Sequence, residues 1–220
     1  MNYKAVIFDL DGTLLNTIDD LTDVMNDVLA EVGAAPHDVE QAKVCVGDGL
    51  RNYVLRVLPA ARRGDEPLVA HCCERFREEY ATRWGIKTRP YDGVPEMLTA
   101  LAGRGVPVAV LSNKPDEFTQ ITVRELLGQW RFAAVRGVRA DGVKKPDPAG
   151  AIEIAAGMGI RPAEFLYVGD TNTDMTTANA AGMFPVGATW GYRSRDELLA
   201  HGAKVLIDTP TDLLALLNAG

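Results

Sequence analysis

Six short apolar runs punctuate this chain, and each stops abruptly in polar or glycine residues: Ala5 to Phe8, Val106 to Leu111, Phe132 to Val135, Phe165 to Val168, Pro185 to Thr189 and Val205 to Ile207. Runs of this kind, with apolar side chains in succession rather than alternation, suit strands buried on both faces of a parallel sheet. Between them lie stretches with helical spacing, such as Val94, Met97, Leu98 and Leu101, or Ala151, Ile152, Ile154 and Ala155. Gly103 and Gly105, then Gly157 and Gly159, follow those stretches where a helix C-terminus favours glycine. Strands alternating with helices imply an α/β fold built on a doubly wound parallel sheet.

One region breaks the alternation. From about residue 16 to about residue 84 the patterning is mainly helical: Ile18, Leu21, Met25, Val28, Leu29 and Val32 form one stripe, Leu50, Val54, Val57 and Leu58 a second, and Leu68, Cys72, Phe76 and Tyr80 a third. The expected division is a Rossmann-like core made of residues 1–15 and 85–220, with residues 16–84 as a small α-helical cap inserted after the first strand. Such an insertion would lie over the carboxyl edge of the sheet, where α/β proteins bind ligands. A helical bundle that merely buries surface is the alternative. At 220 residues the chain is long enough for both parts and a sizeable core.

Composition narrows the partners. A formal net charge of −7 argues against a nucleic-acid binder, whose affinity comes from clustered Lys and Arg, but not against a small anionic substrate. Asp9 interrupts the first apolar run too early for a signal-peptide core, and no segment approaches the roughly 20 apolar residues of a membrane span. Cys45, Cys72 and Cys73 cannot all pair, so a reducing cytoplasm is the expected setting and buried helix positions the expected use. A monomer and a homodimer are both compatible with this pattern.

The strongest local signal is Asp9-Leu10-Asp11-Gly12-Thr13, directly after the first run. A turn would explain Gly12 and Thr13, yet gives no reason to set two carboxylates where their repulsion must be offset. A magnesium ion, which prefers hard oxygen ligands, offers that offset. Other strands lead to polar groups of their own: Ser112-Asn113-Lys114 after Leu111, and Gly169-Asp170-Thr171-Asn172-Thr173-Asp174 after Val168, while Lys144-Lys145-Pro146-Asp147-Pro148 precedes a helical stretch. Each alone reads as a cap, a turn or a solvated lysine. In a parallel sheet all strand carboxyl ends share one edge, so these remote segments can converge there.

In this order, and across essentially the whole chain, Asp9 to Thr13, Ser112, Lys145 and Gly169-Asp170 with Asp174 resemble the four motifs of the haloacid dehalogenase superfamily of phosphohydrolases. The helical insertion is similar to that family's small cap. Thr17 to Leu21, Ser112-Asn113-Lys114-Pro115 and Gly47-Asp48-Gly49 look most like its bacterial-type phosphoglycolate phosphatases. The resemblance implies Mg²⁺-dependent hydrolysis of a small phosphorylated metabolite, phosphoglycolate foremost, through an aspartyl-phosphate on Asp9. Asp11 would serve as acid and base, and Ser112 and Lys145 would bind the transferring phosphoryl oxygens. Asp9, the main-chain oxygen of Asp11 and Asp170 would hold Mg²⁺, and Asp174 would support a metal-bound water or Lys145. Thr13, Asn113 and the cap residues Gly47, Gly49 and Arg51 are the expected substrate contacts.

Several alternatives stand beside this reading. Pyrophosphate, a sugar phosphate or a nucleotide would use the same chemistry. A dehalogenase lacks the second aspartate that Asp11 supplies, a phosphonatase needs a cap lysine for which only Lys43 and Lys87 are placed, and a phosphomutase needs a cap that retains a bisphosphate. A non-catalytic phospho-receiver also sets acids around Mg²⁺, but the insertion and Asp11 count against it. His37, His71 and His201 are scattered, which disfavours a histidine phosphatase.

Overall fold

The computed structural model describes residues 3–139 and 142–217. Its strands in chain order are β1 Ala5–Phe8, β2 Leu15–Asn16, β3 Arg89–Pro90, β4 Val108–Pro115, β5 Phe132–Val138, β6 Phe165–Gly169, β7 Phe184–Ala188 and β8 Val205–Ile207. The helices are α1 Ile18–Glu31, α2 Val39–Cys45, α3 Leu50–Val57, α4 Glu66–Arg83, α5 Val94–Gly103, α6 Asp116–Leu127, α7 Ala149–Met158, α8 Asn172–Ala180, α9 Arg195–Ala200 and α10 Leu213–Leu216. The six apolar runs pair, all parallel, into one sheet ordered β5-β4-β1-β6-β7-β8. The expected α/β, doubly wound architecture is the one observed.

Period-2 alternation within the strands explains why both faces are covered. Val6 and Phe8 of β1 point with Val108, Val110, Leu166 and Val168 into a core shared with Val94, Met97, Leu98 and Leu101 of α5 and Val123 and Leu127 of α6. Ala5 and Ile7 point the other way, with Ala109, Leu111, Phe165 and Tyr167, against Ala151, Ile154 and Ala155 of α7 and Ala178 of α8. The carboxyl edge of the sheet follows from the register: Ile7 aligns with Ala109 and Tyr167, so Asp9, Ser112 and Asp170 all emerge on that edge.

Helices α1 to α4 bury their stripes in a separate core made of Val24, Met25, Val28, Leu29, Val54, Val57, Val69, Cys72 and Phe76, to which Phe118 and Tyr192 from the sheet domain add. All three cysteines are buried and free. No helix among the described residues is long and apolar enough to cross a membrane.

Two features differ from the sequence-based expectation. Helix α2 was not foreseen, because only Ala42 and Cys45 of its seven residues are buried; a capping box between Asp38 and Gln41 starts it instead. Strand β4 runs past Leu111 to Pro115, since Pro115 pairs with Val138 after a break in register, and this carries Ser112, Asn113 and Lys114 on extended backbone. A two-residue antiparallel ribbon, β2 with β3, joins both chain crossings between the sheet and α1 to α4.

Candidate active site

Asp9 is held where β1 stops. Its N–H still donates to Val168 O at 2.9 Å, extending the ladder by one residue, while the Leu10 N–H donates to Asp9 Oδ1 at 2.7 Å. The chain then reverses tightly, with the N–H groups of Leu14 and Leu15 both donating to Leu10 O. Gly12 sits in that turn at φ 90°, a left-handed conformation that a side chain resists. A Cβ there would also come within 2.3 Å of Asp170 Oδ2. Gly12→Ala is therefore expected to cost about 3 kcal/mol or more of stability, from backbone strain and overpacking together, with displacement of Asp170. Denaturant unfolding would measure it, and a variant within about 0.5 kcal/mol of the parent would mean the turn is not constrained in this way.

Asp170 and Asp174 arrive from the β6–α8 junction. Thr171 caps α8 in a box with Asp174: its hydroxyl and its N–H both donate to Asp174 Oδ2, at 2.6 and 3.1 Å. Asp174 Oδ1 is thereby free to meet Lys145 Nζ at 2.7 Å, and the same ammonium lies 2.8 Å from Asp9 Oδ1. Asp170 accepts from the Thr13 hydroxyl and the Tyr192 N–H, each at 2.8 Å. Asp9, Asp170 and Asp174 can each turn one oxygen to within 4.8 Å of the others, and all three are buried.

This arrangement carries surplus negative charge. Burial, then the neighbouring carboxylates Asp174 and Asp170, raise the Asp9 carboxyl well above the ordinary range although Lys145 opposes them. Burial and Asp174 push Asp170 up to about 7. Burial alone would discharge Lys145, but Asp174 and Asp9 hold it protonated. One buried ammonium against three buried carboxylates is a donor set of hard oxygens short of positive charge, which fits a divalent cation such as Mg²⁺. Both oxygens of Asp174 are already engaged, whereas Asp9 Oδ2 takes no hydrogen bond among the described residues.

A cavity of about 620 Å³, counting space open to solvent, lies between this cluster and the helical insertion, and Asp9, Asp11, Ser112, Gly47 and Gly49 all line it. Thr13 is turned to Asp170 instead. Asn113 reaches the cavity, but its amide is occupied: Nδ2 donates to Gly47 O and Lys145 O, and Oδ1 accepts from the Lys145 N–H. Arg51 is not brought in, since its guanidinium pairs with Glu66 on the surface.

Sequence reasoning missed several residues that shape the site. Lys114, a buried residue, puts Nζ 2.8 Å from Asp11 Oδ1 and 2.8 Å from Tyr80 Oη of α4. Tyr192 gives its backbone N–H to Asp170, lines the cavity and pairs its hydroxyl with Thr17 Oγ1 at 2.9 Å, and its neighbour Gly191 is required because a Cβ would meet Asp170 at 2.2 Å. Loop 46–49 is tied to the sheet domain by Thr173 Oγ1 to Asp48 Oδ1 at 2.6 Å, Lys144 Nζ to Asp48 O at 2.7 Å and Arg193 to Val46 O at 2.7 Å. A lysine three residues past the end of an apolar run was the one available signal for Lys114; the others leave no trace in residue type.

Residues 3–182 match the haloacid dehalogenase-like hydrolase family. Phosphoglycolate phosphatase 1 of Pseudomonas aeruginosa is 33% identical over 215 residues, covering 96% of this chain and 78% of its own length. N-acetylmuramic acid 6-phosphate phosphatase of the same organism is 32% identical over 221 residues, covering 99% and 96%. A crystal structure from Lactobacillus delbrueckii subsp. bulgaricus, provisionally described as a phosphoglycolate phosphatase, superposes with a TM-score of 0.89 at 33% identity over 99% of both chains.

Proposed function

The chain belongs to the haloacid dehalogenase-like hydrolase family, and we propose that it is a Mg²⁺-dependent phosphatase of small phosphate monoesters, with phosphoglycolate as substrate and Asp9 as nucleophile. The observation that carries this reading is the state of Asp9, a residue of the cavity wall: one carboxylate oxygen is fixed by the Leu10 N–H and Lys145, and the other takes no hydrogen bond among the described residues. A carboxylate so held is oriented for attack without further ordering.

In the first step Asp9 Oδ2 forms a bond to phosphorus as the ester P–O bond breaks, and the Asp11 carboxyl gives its proton to the departing oxygen. In the second, Asp11 takes a proton from water as the water oxygen attacks phosphorus, the Asp9–phosphorus bond breaks, and inorganic phosphate leaves. Ser112, which lines the cavity with Asp9 and whose hydroxyl accepts from the Lys114 N–H at 3.2 Å, would donate to a phosphoryl oxygen, and Lys145 would neutralise charge there. Asp174 would keep Lys145 in place. Mg²⁺ held by Asp9, Asp170 and the main-chain oxygen of Asp11 would supply the remaining positive charge against the phosphoryl oxygens. Three free, buried thiols fit work on a small metabolite in the reducing cytoplasm.

The test is phosphate release from a panel that includes phosphoglycolate, N-acetylmuramic acid 6-phosphate, a hexose phosphate and pyrophosphate. Phosphoglycolate is expected to lead in kcat/KM by about tenfold or more, a difference of the size that pocket fit supplies. Chelation is expected to lower the rate at least about 100-fold, and added Mg²⁺ to restore it. Equal or better efficiency with a sugar phosphate would reassign the substrate, and full activity in chelator would remove the metal.

A further inference from the structure

We infer that Lys114 receives an anionic group on the leaving alcohol, so that the site takes phosphate monoesters bearing a carboxylate one carbon from the ester oxygen. This rests on the phosphatase reading above and deepens it.

The cavity wall facing Asp9 and Asp11 is largely apolar: Leu21, Leu50, Phe76 and Phe118 offer a leaving group no hydrogen bond. Lys114 is the only cationic side chain among the described residues that line it. Its side chain is only 4% exposed, and its ammonium is ion-paired with Asp11 Oδ1 at 2.8 Å and hydrogen-bonded to Tyr80 Oη. An ammonium carries three N–H donors. Two are assigned here, to Asp11 Oδ1 and Tyr80 Oη, each at 2.8 Å, which leaves the third without an acceptor among the described residues. A buried charged donor without an acceptor is costly, and a carboxylate entering an apolar cavity meets the same cost until it finds a cation.

Position makes the two requirements meet. Lys114 touches Asp11, whose carboxyl group in its protonated form would protonate the leaving oxygen, so a leaving group bound at Asp11 lies next to the ammonium. An α-carboxylate is short enough to remain there. A polyol would place its hydroxyls against aliphatic and aromatic walls and lose hydrogen bonds made in water. Tyr80, stacked on Phe76 at 5.3 Å and edge-on to Phe118 at 5.3 Å, fixes the lysine from the helical insertion.

The experiment compares phosphoglycolate with 2-hydroxyethyl phosphate, in which a neutral hydroxymethyl group replaces the carboxylate, in the parent protein, Lys114→Met and Lys114→Gln. The parent is expected to favour phosphoglycolate by about 100-fold in kcat/KM, mostly through KM, and either variant to reduce that ratio to about threefold or less. A lysine that only positions Asp11 would lower both substrates equally and leave the ratio intact, which would overturn the inference. Equal efficiencies in the parent protein would overturn it without any variant and leave the phosphatase reading standing. No phosphate from either substrate would overturn both.

Discussion

Asp9→Asn is expected to abolish turnover, with a loss on the order of 10⁴-fold or more, while the protein stays folded. An amide keeps the shape and still accepts from the Leu10 N–H, so the turn after β1 is preserved. Stability should not fall. The folded-state pKa of Asp9 lies above its unfolded value, so its ionised form costs stability once the pH rises past the unfolded pKa, and the neutral amide removes that cost at pH 7. In metal-free buffer the variant should therefore melt no lower than its parent, since Lys145 retains Asp174 as a partner. Substantial activity in a folded Asp9→Asn protein would move the nucleophile to another residue, and a large drop in melting temperature would mean the carboxylate is needed for the fold.

Lys145→Ala should behave in the opposite way, losing stability and activity together. Its side chain is 1% exposed and is the counter-charge for both Asp9 and Asp174. Removing one partner of a buried ionic cluster leaves uncompensated charge and typically costs about 3–5 kcal/mol, read from denaturant unfolding in metal-free buffer. Loss of a charge-stabilising donor should lower kcat by about 10² to 10³ as well. Adding Asp174→Asn should recover part of the stability and none of the activity, because the amide lifts the repulsion without replacing the ammonium. A single variant as stable as the parent would contradict the charge account, and a double variant less stable than the sum of its parts would contradict the pairing.

The sheet was legible because its strands are buried on both faces and so stand out as uninterrupted apolar runs. Ala5 to Phe8 and Val205 to Ile207 match their strands end to end. Helix α2 was invisible because seven residues with two buried positions show no stripe, and the β2–β3 ribbon because two residues cannot display alternation. At the site, residue types announced themselves where charge is unusual, as with Asp9 beside Asp11. They did not where the contribution is a backbone group or an absent side chain, as at Tyr192 and Gly191. Lys114 shows a third limit: its partners stand 103 and 34 residues away, at Asp11 and Tyr80, so only the packing of the insertion against the sheet reveals what the ammonium faces.

The covalent step is the centre of this account, and rapid quench with ³²P-labelled phosphoglycolate tests it most directly. Acid-quenched protein from the first turnover should carry an acid-stable, base-labile phosphoryl group, and peptide mapping should locate it on the segment containing Asp9. Its formation should precede the release of inorganic phosphate. Turnover that proceeds with no label on the protein at any time, or with label on a residue other than Asp9, would contradict the mechanism.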